Sequence, residues 1–149
     1  MTSEIESIEQ QYRLEARQWL KDNIDPIEEK QPFSTLHWMP SQEREDQHHL
    51  NCQKLQKKLY DAGYAGTTVP TEYGGHGGEA WMQKAFKEES VGYQVHTGFY
   101  NSIIAMTLPA LLKYGTEEQK KEHIPSLING KVSWCQLFSE PGAGSDLAG

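Results

Sequence analysis

The stretch of the chain whose residue types best suit ligand contact is Phe138-Ser139-Glu140-Pro141-Gly142-Ala143-Gly144-Ser145-Asp146. Its glycines remove side chains that would block a ligand, while hydroxyls and backbone N–H groups remain as donors. After an apolar strand such a loop suits a flat cofactor with a polar edge, although spacing alone leaves an ordinary connecting loop equally open. Gly75-His76-Gly77-Gly78-Glu79-Ala80 has the letters of G-x-G-x-x-A ahead of a helix, an arrangement that seats phosphate on helix N-terminal amides. Pro70 interrupts the only candidate strand before it, TTVPTEY, and no βαβ unit surrounds it, so the motif reads as a structural turn. His48 and Cys52 could offer two metal ligands at i, i+4, with His49 beside them, but no further ligand cluster stands at a characteristic spacing. Cys135 and Ser145 lack a nucleophile elbow, and nothing marks His96 or His123 as a base. The two cysteines, Cys52 and Cys135, lie far apart without a CxxC and are expected to be buried thiols. No metal site is expected.

The elements that must carry these residues are mostly helices. Ile5, Ile8, Tyr12, Ala16, Trp19 and Leu20 recur at spacings of three and four, and Ser3 with Glu6 has the form of a capping box, predicting a helix over about 4–23. Pro26, Pro32 and Pro40 punctuate an irregular connection over 24–40 that ends at a Ser41 N-cap. His48, Cys52, Leu55, Leu59 and Ala62 form the stripe of a second helix over about 42–62, closed by Gly63. Residues 64–78 are a turn-rich loop, and a third helix runs from Glu79 to about Val95. The apolar segment 101–114 is expected to be largely buried, with Pro109 opening a separate helix at its first position. Thr116 and Gln119 make a second capping box that launches a short helix through about Asn129. The pattern then alternates, with Val132, Trp134, Gln136 and Phe138 on one side and Cys135 and Leu137 on the other, which predicts a strand.

Composition sets the limits. The 149 residues carry a formal charge of −7 and no basic block, which leaves no footprint for a phosphate backbone and argues against nucleic-acid binding. The longest apolar run, Ile103 to Met106, is far too short for a membrane span. Glu4, Glu6 and Glu9 do not suit an organelle-targeting leader, so the expected location is cytoplasmic. Leu, Ile, Val and Phe number 28, a thin core for a chain with 15 aromatic residues and clear helical periodicity. That thinness, together with a strand that has no convincing partner upstream, predicts a truncated chain.

Three motifs carry a resemblance: VPTEYGGHGG at 69–78, YGTEEQKKEHIPSLINGK at 114–131 and FSEPGAGSDLAG at 138–149. Together they resemble the N-terminal part of the acyl-CoA dehydrogenases, the flavoproteins that desaturate acyl-CoA thioesters, and the likeness covers nearly the whole chain. It implies an all-α fold: an N-terminal helical domain over 1–130, followed over 131–149 by the first strand of a truncated middle β-domain. A C-terminal four-helix bundle completes the family's architecture, and FAD lies between the latter two domains and a neighbouring subunit.

By the same resemblance Gln136, Phe138 and Ser139 match positions against the flavin ring, Ser139 standing where threonine is usual and keeping the hydroxyl. Ser145 matches the motif serine near the cofactor and the CoA part of the substrate, and Gly144 allows close backbone approach. Residues 98–105 correspond to part of the acyl-chain wall, with a plain helix-core role for each side chain left open. The implied reaction is removal of an α proton by a carboxylate, with transfer of a β hydride to flavin N5. The family's base is a glutamate of the C-terminal domain, and no residue here matches it. Glu88, Glu89 and Glu140 are not assigned that role, so no catalytic residue is expected in this chain, which alone should be inactive. Implied partners are an acyl-CoA or bulkier CoA thioester, further subunits in a homo- or hetero-oligomer, and an electron-transfer flavoprotein. The other reading is a noncatalytic helical interaction module derived from the same family.

Overall fold

The computed structural model describes residues 2–27, 41–135, 137, 141, 142 and 144. Among them are five helices: α1 (Thr2–Asn23), α2 (Gln42–Asp61), α3 (Ala80–Glu89), α4 (Phe99–Tyr114) and α5 (Glu117–Ile128). The architecture is all-α, and α1 packs on α3, α2 on α4, and α4 on α5. A single 3₁₀ turn, Thr71–Tyr73, packs against α5.

The apolar stripe of α1 buries Ala16, Leu20 and Ile24 against Leu59 and Phe86, with Tyr12, Trp19, Leu55 and Tyr64 closing the edges. Five aromatic rings meet here: Phe86 stacks on Tyr64 at a centroid distance of 4.0 Å, and Trp19 lies 5.0 Å from Tyr64. The Tyr12 ring stands edge-on to Trp81 at 5.4 Å. A second core gathers Val69, Tyr73, Ile124 and Ile128, flanked by Tyr60, Leu108, Leu111 and Leu112.

Helix boundaries follow local chemistry. Ser41 caps α2 by accepting a hydrogen bond from the Arg44 amide at 3.4 Å. At α5 the capping box forms in full, Thr116 Oγ1 accepting from the Gln119 amide and Gln119 Oε1 accepting from the Thr116 amide. Ser3 lies inside α1 instead of at its cap, because the helix reaches back to Thr2.

Other expectations also need correction. Helix α3 stops at Glu89, not Val95, because the Ser90 amide closes on the Phe86 carbonyl and Gly92 turns the chain at φ +95°. Residues 92–95 then run back beside α1's exit, with Ile27 N–H donating to the Gly92 carbonyl at 2.8 Å and Gln94 N–H to the Asp25 carbonyl at 3.0 Å. Pro109 does not open a helix; it sits inside an unbroken α4. A helix starting there would have Leu108 at its N-cap, a poor capping residue, so extending α4 through the proline costs less than breaking it.

The α4 segment is also not largely buried. Tyr100 is 1% exposed and Ile103, Ile104, Thr107, Leu108, Leu111 and Leu112 are half-buried on one face, while Phe99 is 65%, Met106 46% and Tyr114 77% exposed. One side of the helix packs on α2 and α5, and the other meets no element among the described residues. Cys135 is exposed, whereas Cys52 is buried as expected. Val132–Cys135 form no strand, having no partner strand among the described residues, and so nothing covers the thiol.

Candidate functional site

The segment expected to meet a ligand leaves the helical body at the end of α5. Val132 N–H donates to the Ser126 carbonyl at 3.1 Å, and Lys131 N–H to Asn129 Oδ1 at 2.8 Å. Trp134 packs edge-on against His123, with 5.3 Å between ring centroids. These contacts lay residues 132–134 back along α5, from Ser126 toward His123. Gln136, Phe138, Ser139 and Ser145 lie outside the described residues, as does Glu140. Gly144 is exposed in a bend, and Gly142 sits in the preceding turn with nothing within 4 Å of the place a Cβ would take. Both glycines are open to close approach.

The loop 64–78 does structural work. Gly77 N–H donates to the Val69 carbonyl at 2.9 Å and Gly78 N–H to the Thr67 carbonyl at 2.7 Å, which folds the loop on itself. Tyr60 OH donates to the Gly74 carbonyl at 2.6 Å, and Tyr73 OH donates to Glu117 Oε2 at 2.8 Å, fastening the loop to α2 and α5. The amides of Gly75, His76, Gly77 and Gly78 are all used within the loop itself.

Around the N-terminus of α4, Gly98 lies so close to α2 that a Cβ there would fall 2.9 Å from Cys52 Sγ. His48 Nε2 stands 3.5 Å from that sulfur, and burial pushes the thiol pKa up. Tyr100 stacks on His49 at 5.4 Å, its hydroxyl 3.3 Å from His49 Nε2. A cleft of about 390 Å³ opens here between His48, His49, Cys52 and Phe99. Among the described residues no group of three His, Cys, Asp or Glu side chains could hold a metal ion. No helix there is long and apolar enough to cross a membrane.

Glu88 and Glu89 are engaged elsewhere. Arg13 of α1 donates to Glu88 Oε2 at 2.6 Å and to Glu89 Oε1 at 3.1 Å, and Arg17 grips Glu89 with two guanidinium nitrogens. The signal for this clamp was arginines one turn apart on α1 and adjacent glutamates on α3. Hydrogen bonding from Arg17 holds the Glu89 carboxyl, 11% exposed, below the usual carboxylate range; burial opposes the shift and Arg13 reinforces it. A carboxyl depressed in the folded state contributes stability above its unfolded pKa, and that contribution is lost as pH falls through the folded value. Urea unfolding from pH 7 down to pH 3 is therefore expected to show an acid loss that is shallower in Glu89→Gln, with equal slopes excluding the clamp as a source.

One buried and one half-buried polar side chain also escape any periodicity. The side-chain amide of Gln56 donates to the Ile128 carbonyl at 2.7 Å, and that of Gln53 to the Gly130 carbonyl at 2.9 Å. They tie α2 to the point where the chain leaves α5.

The family model of the acyl-CoA dehydrogenase N-terminal domain matches residues 7–131. The chain is 33% identical over 139 residues to the acyl-CoA dehydrogenase IpdE1 of Mycolicibacterium smegmatis, covering 93% of this chain and 34% of that relative. It is 30% identical over 116 residues to the mitochondrial long-chain specific acyl-CoA dehydrogenase of Sus scrofa, covering 68% of this chain and 25% of the relative. Among solved structures, a variant of the Tcur3481-Tcur3483 steroid ACAD superposes with a TM-score of 0.61 at 27% identity, covering 95% of this chain and 34% of that one. The chain spans about a third or less of the length of these relatives. With the domain matched across most of its residues and the five-helix arrangement shared with a solved relative, the chain belongs to the acyl-CoA dehydrogenase family, of which it carries the N-terminal domain.

Proposed function

We propose that this chain is the helical layer and the start of the flavin-facing segment of an FAD-dependent acyl-CoA dehydrogenase. The observation that carries the reading is that the family's domain, matched over 7–131, runs directly into the FSEPGAGSD loop. On this reading residues 1–130 form one domain and residue 131 begins the next.

The chemistry of the available donors fits FAD. Beside the carboxylates of Glu140 and Asp146, the loop offers backbone N–H groups, the Ser139 and Ser145 hydroxyls and glycines with no side chain in the way, donors suited to the carbonyl and nitrogen edge of a flavin ring. When bound, FAD supplies the hydride acceptor for α,β-desaturation of a CoA thioester. Gln136, Phe138 and Ser139 would hold one edge of the ring, Gly144 would let the backbone approach, and Ser145 would stand between the cofactor and the CoA moiety. Residues 98–105 would form part of the acyl wall. By the family resemblance the α-proton base would be a glutamate of the C-terminal domain, and Glu88 and Glu89 are instead paired with Arg13 and Arg17. The parent enzyme would assemble as a homo- or hetero-oligomer and pass electrons to an electron-transfer flavoprotein.

The test is to read the coding frame through and past the Gly149 codon, express its product, and titrate it anaerobically with straight-chain and ring-bearing saturated CoA thioesters. Stoichiometric FAD and bleaching of the flavin absorbance by at least one thioester are the expected result. A product that binds no FAD, or whose flavin no thioester reduces, overturns the reading. So does tight, stoichiometric FAD binding by residues 1–149 alone.

A further inference from the structure

The last carbonyls of a helix have no partner within it, and at α5 two of the carbonyls leading out of the helix face α2. Gln56, 4% exposed, donates Nε2–H to the Ile128 carbonyl at 2.7 Å, and one turn earlier Gln53 donates to the Gly130 carbonyl at 2.9 Å. Gly130 itself turns at φ +78° and presses so close that a Cβ would lie 2.9 Å from Gln56 Cγ and 3.3 Å from the Gln53 carbonyl oxygen. Three elements of the exit are thereby fixed at once: the last turn of α5, the left-handed residue after it, and the hydrogen bonds of Lys131 and Val132 that set the direction of 132–135. Nothing else among the described residues ties Ile128 and Gly130 to α2 by side-chain hydrogen bonds.

We propose that Gln53 and Gln56 are positioning residues for the cofactor: by clamping the Ile128 and Gly130 carbonyls they fix the direction in which the chain leaves α5 toward residues 136–145. The inference rests on the flavin reading above. Two glutamines of α2, remote in sequence from the loop, would then tune how tightly the flavin is held without touching it.

The test uses the full FAD-loaded protein and the double variant Gln53→Met, Gln56→Met, which keeps the volume and removes both donors. Because a buried carbonyl then loses its partner, Gln53→Met alone provides a milder variant, and Gln53→Lys restores a donor to the Gly130 carbonyl. Loss of one or two such bonds corresponds to roughly tenfold in a local opening equilibrium. About tenfold faster amide exchange across 129–135 is therefore expected, with α1 and α3 protected as before. FAD affinity should fall by about the same factor, the visible circular dichroism of the remaining flavin should change, and Gln53→Lys should recover part of both. Unchanged exchange at 129–135, or exchange raised equally in every helix, overturns the clamp. Faster local exchange with unaltered FAD affinity and dichroism overturns the cofactor role while leaving the flavin reading intact. A parent protein that binds no FAD removes the flavin reading, and this proposal with it.

Discussion

Gly75→Ala is expected to destabilise the fold by at least about 3 kcal/mol, through overpacking against backbone. A Cβ at this position would stand 2.1 Å from the Val69 carbonyl oxygen, 2.3 Å from the Val69 Cβ and 2.5 Å from its carbonyl carbon. No rotamer change relieves such a contact, because the opposing atoms are main chain and Val69 is itself locked in the second core. Relief would require opening the loop that carries the Gly77 and Gly78 hydrogen bonds. Gly63→Ala is the control: φ is +86° there with nothing within 4 Å, so only the left-handed conformation is penalised, by about 1 kcal/mol. Denaturant unfolding followed by tryptophan fluorescence checks both, and equal effects at the two glycines would refute the packing argument.

Phe86→Ala should cost about 3–5 kcal/mol, the range for emptying a buried aromatic site. The ring lies flat on Tyr64, with 13° between planes, and edge-on to Trp19 at 6.4 Å, in the core that joins α1, α2 and α3. Its removal leaves a void between rings too rigid to collapse into it. Phe86→Leu, which refills most of the space, should lose clearly less. Trp19 reports directly once Trp38, Trp81 and Trp134 are replaced by phenylalanine: its emission in the folded state should then shift in Phe86→Ala as water reaches the ring, and an unshifted spectrum with a small stability change would show that the cluster repacks.

Much of this fold was legible because its signals are local. The Thr116 and Gln119 box, the Ser41 cap, Gly63 and the part of the α1 stripe from Tyr12 to Leu20 depend on residues within one or two turns of each other, and each does in the structure what its spacing predicts, whereas Ile8 of the same stripe is exposed. The errors have one physical origin, in that burial and termination depend on partners distant in sequence. Apolar content alone made α4 read as buried, yet only the face bearing Tyr100, Ile104, Leu108 and Leu111 finds neighbours. Gly92 was present in the sequence as a stop, but the apolar residues Tyr93 and Val95 concealed it by continuing the pattern for a different purpose, packing against the first core. Gln53 and Gln56 were invisible for the converse reason: a polar residue on a helix reads as a solvated face until the carbonyl it meets, more than 70 residues away, is in place. Of the expected ligand-contacting residues, Gly144 is seen in an open bend, and the family motif rather than any spacing singled out the rest.

Leu59 and Tyr60 are neighbours on α2, yet Leu59 belongs to the core under α1 and Tyr60 to the flank of the core under α5. The helix that carries them is otherwise strongly polar, QEREDQHHLNCQKLQKKLYD, and a 20-residue helix of that kind is marginal when left to itself in water. Each core therefore depends on α2 being wound, and α2 stays wound only while both cores grip it. Melting either half strips one side of this helix and removes the support of the other half. Two hydrophobic centres that touch few residues in common are in this way made into one cooperative unit, with a polar helix as the element through which each half senses the loss of the other.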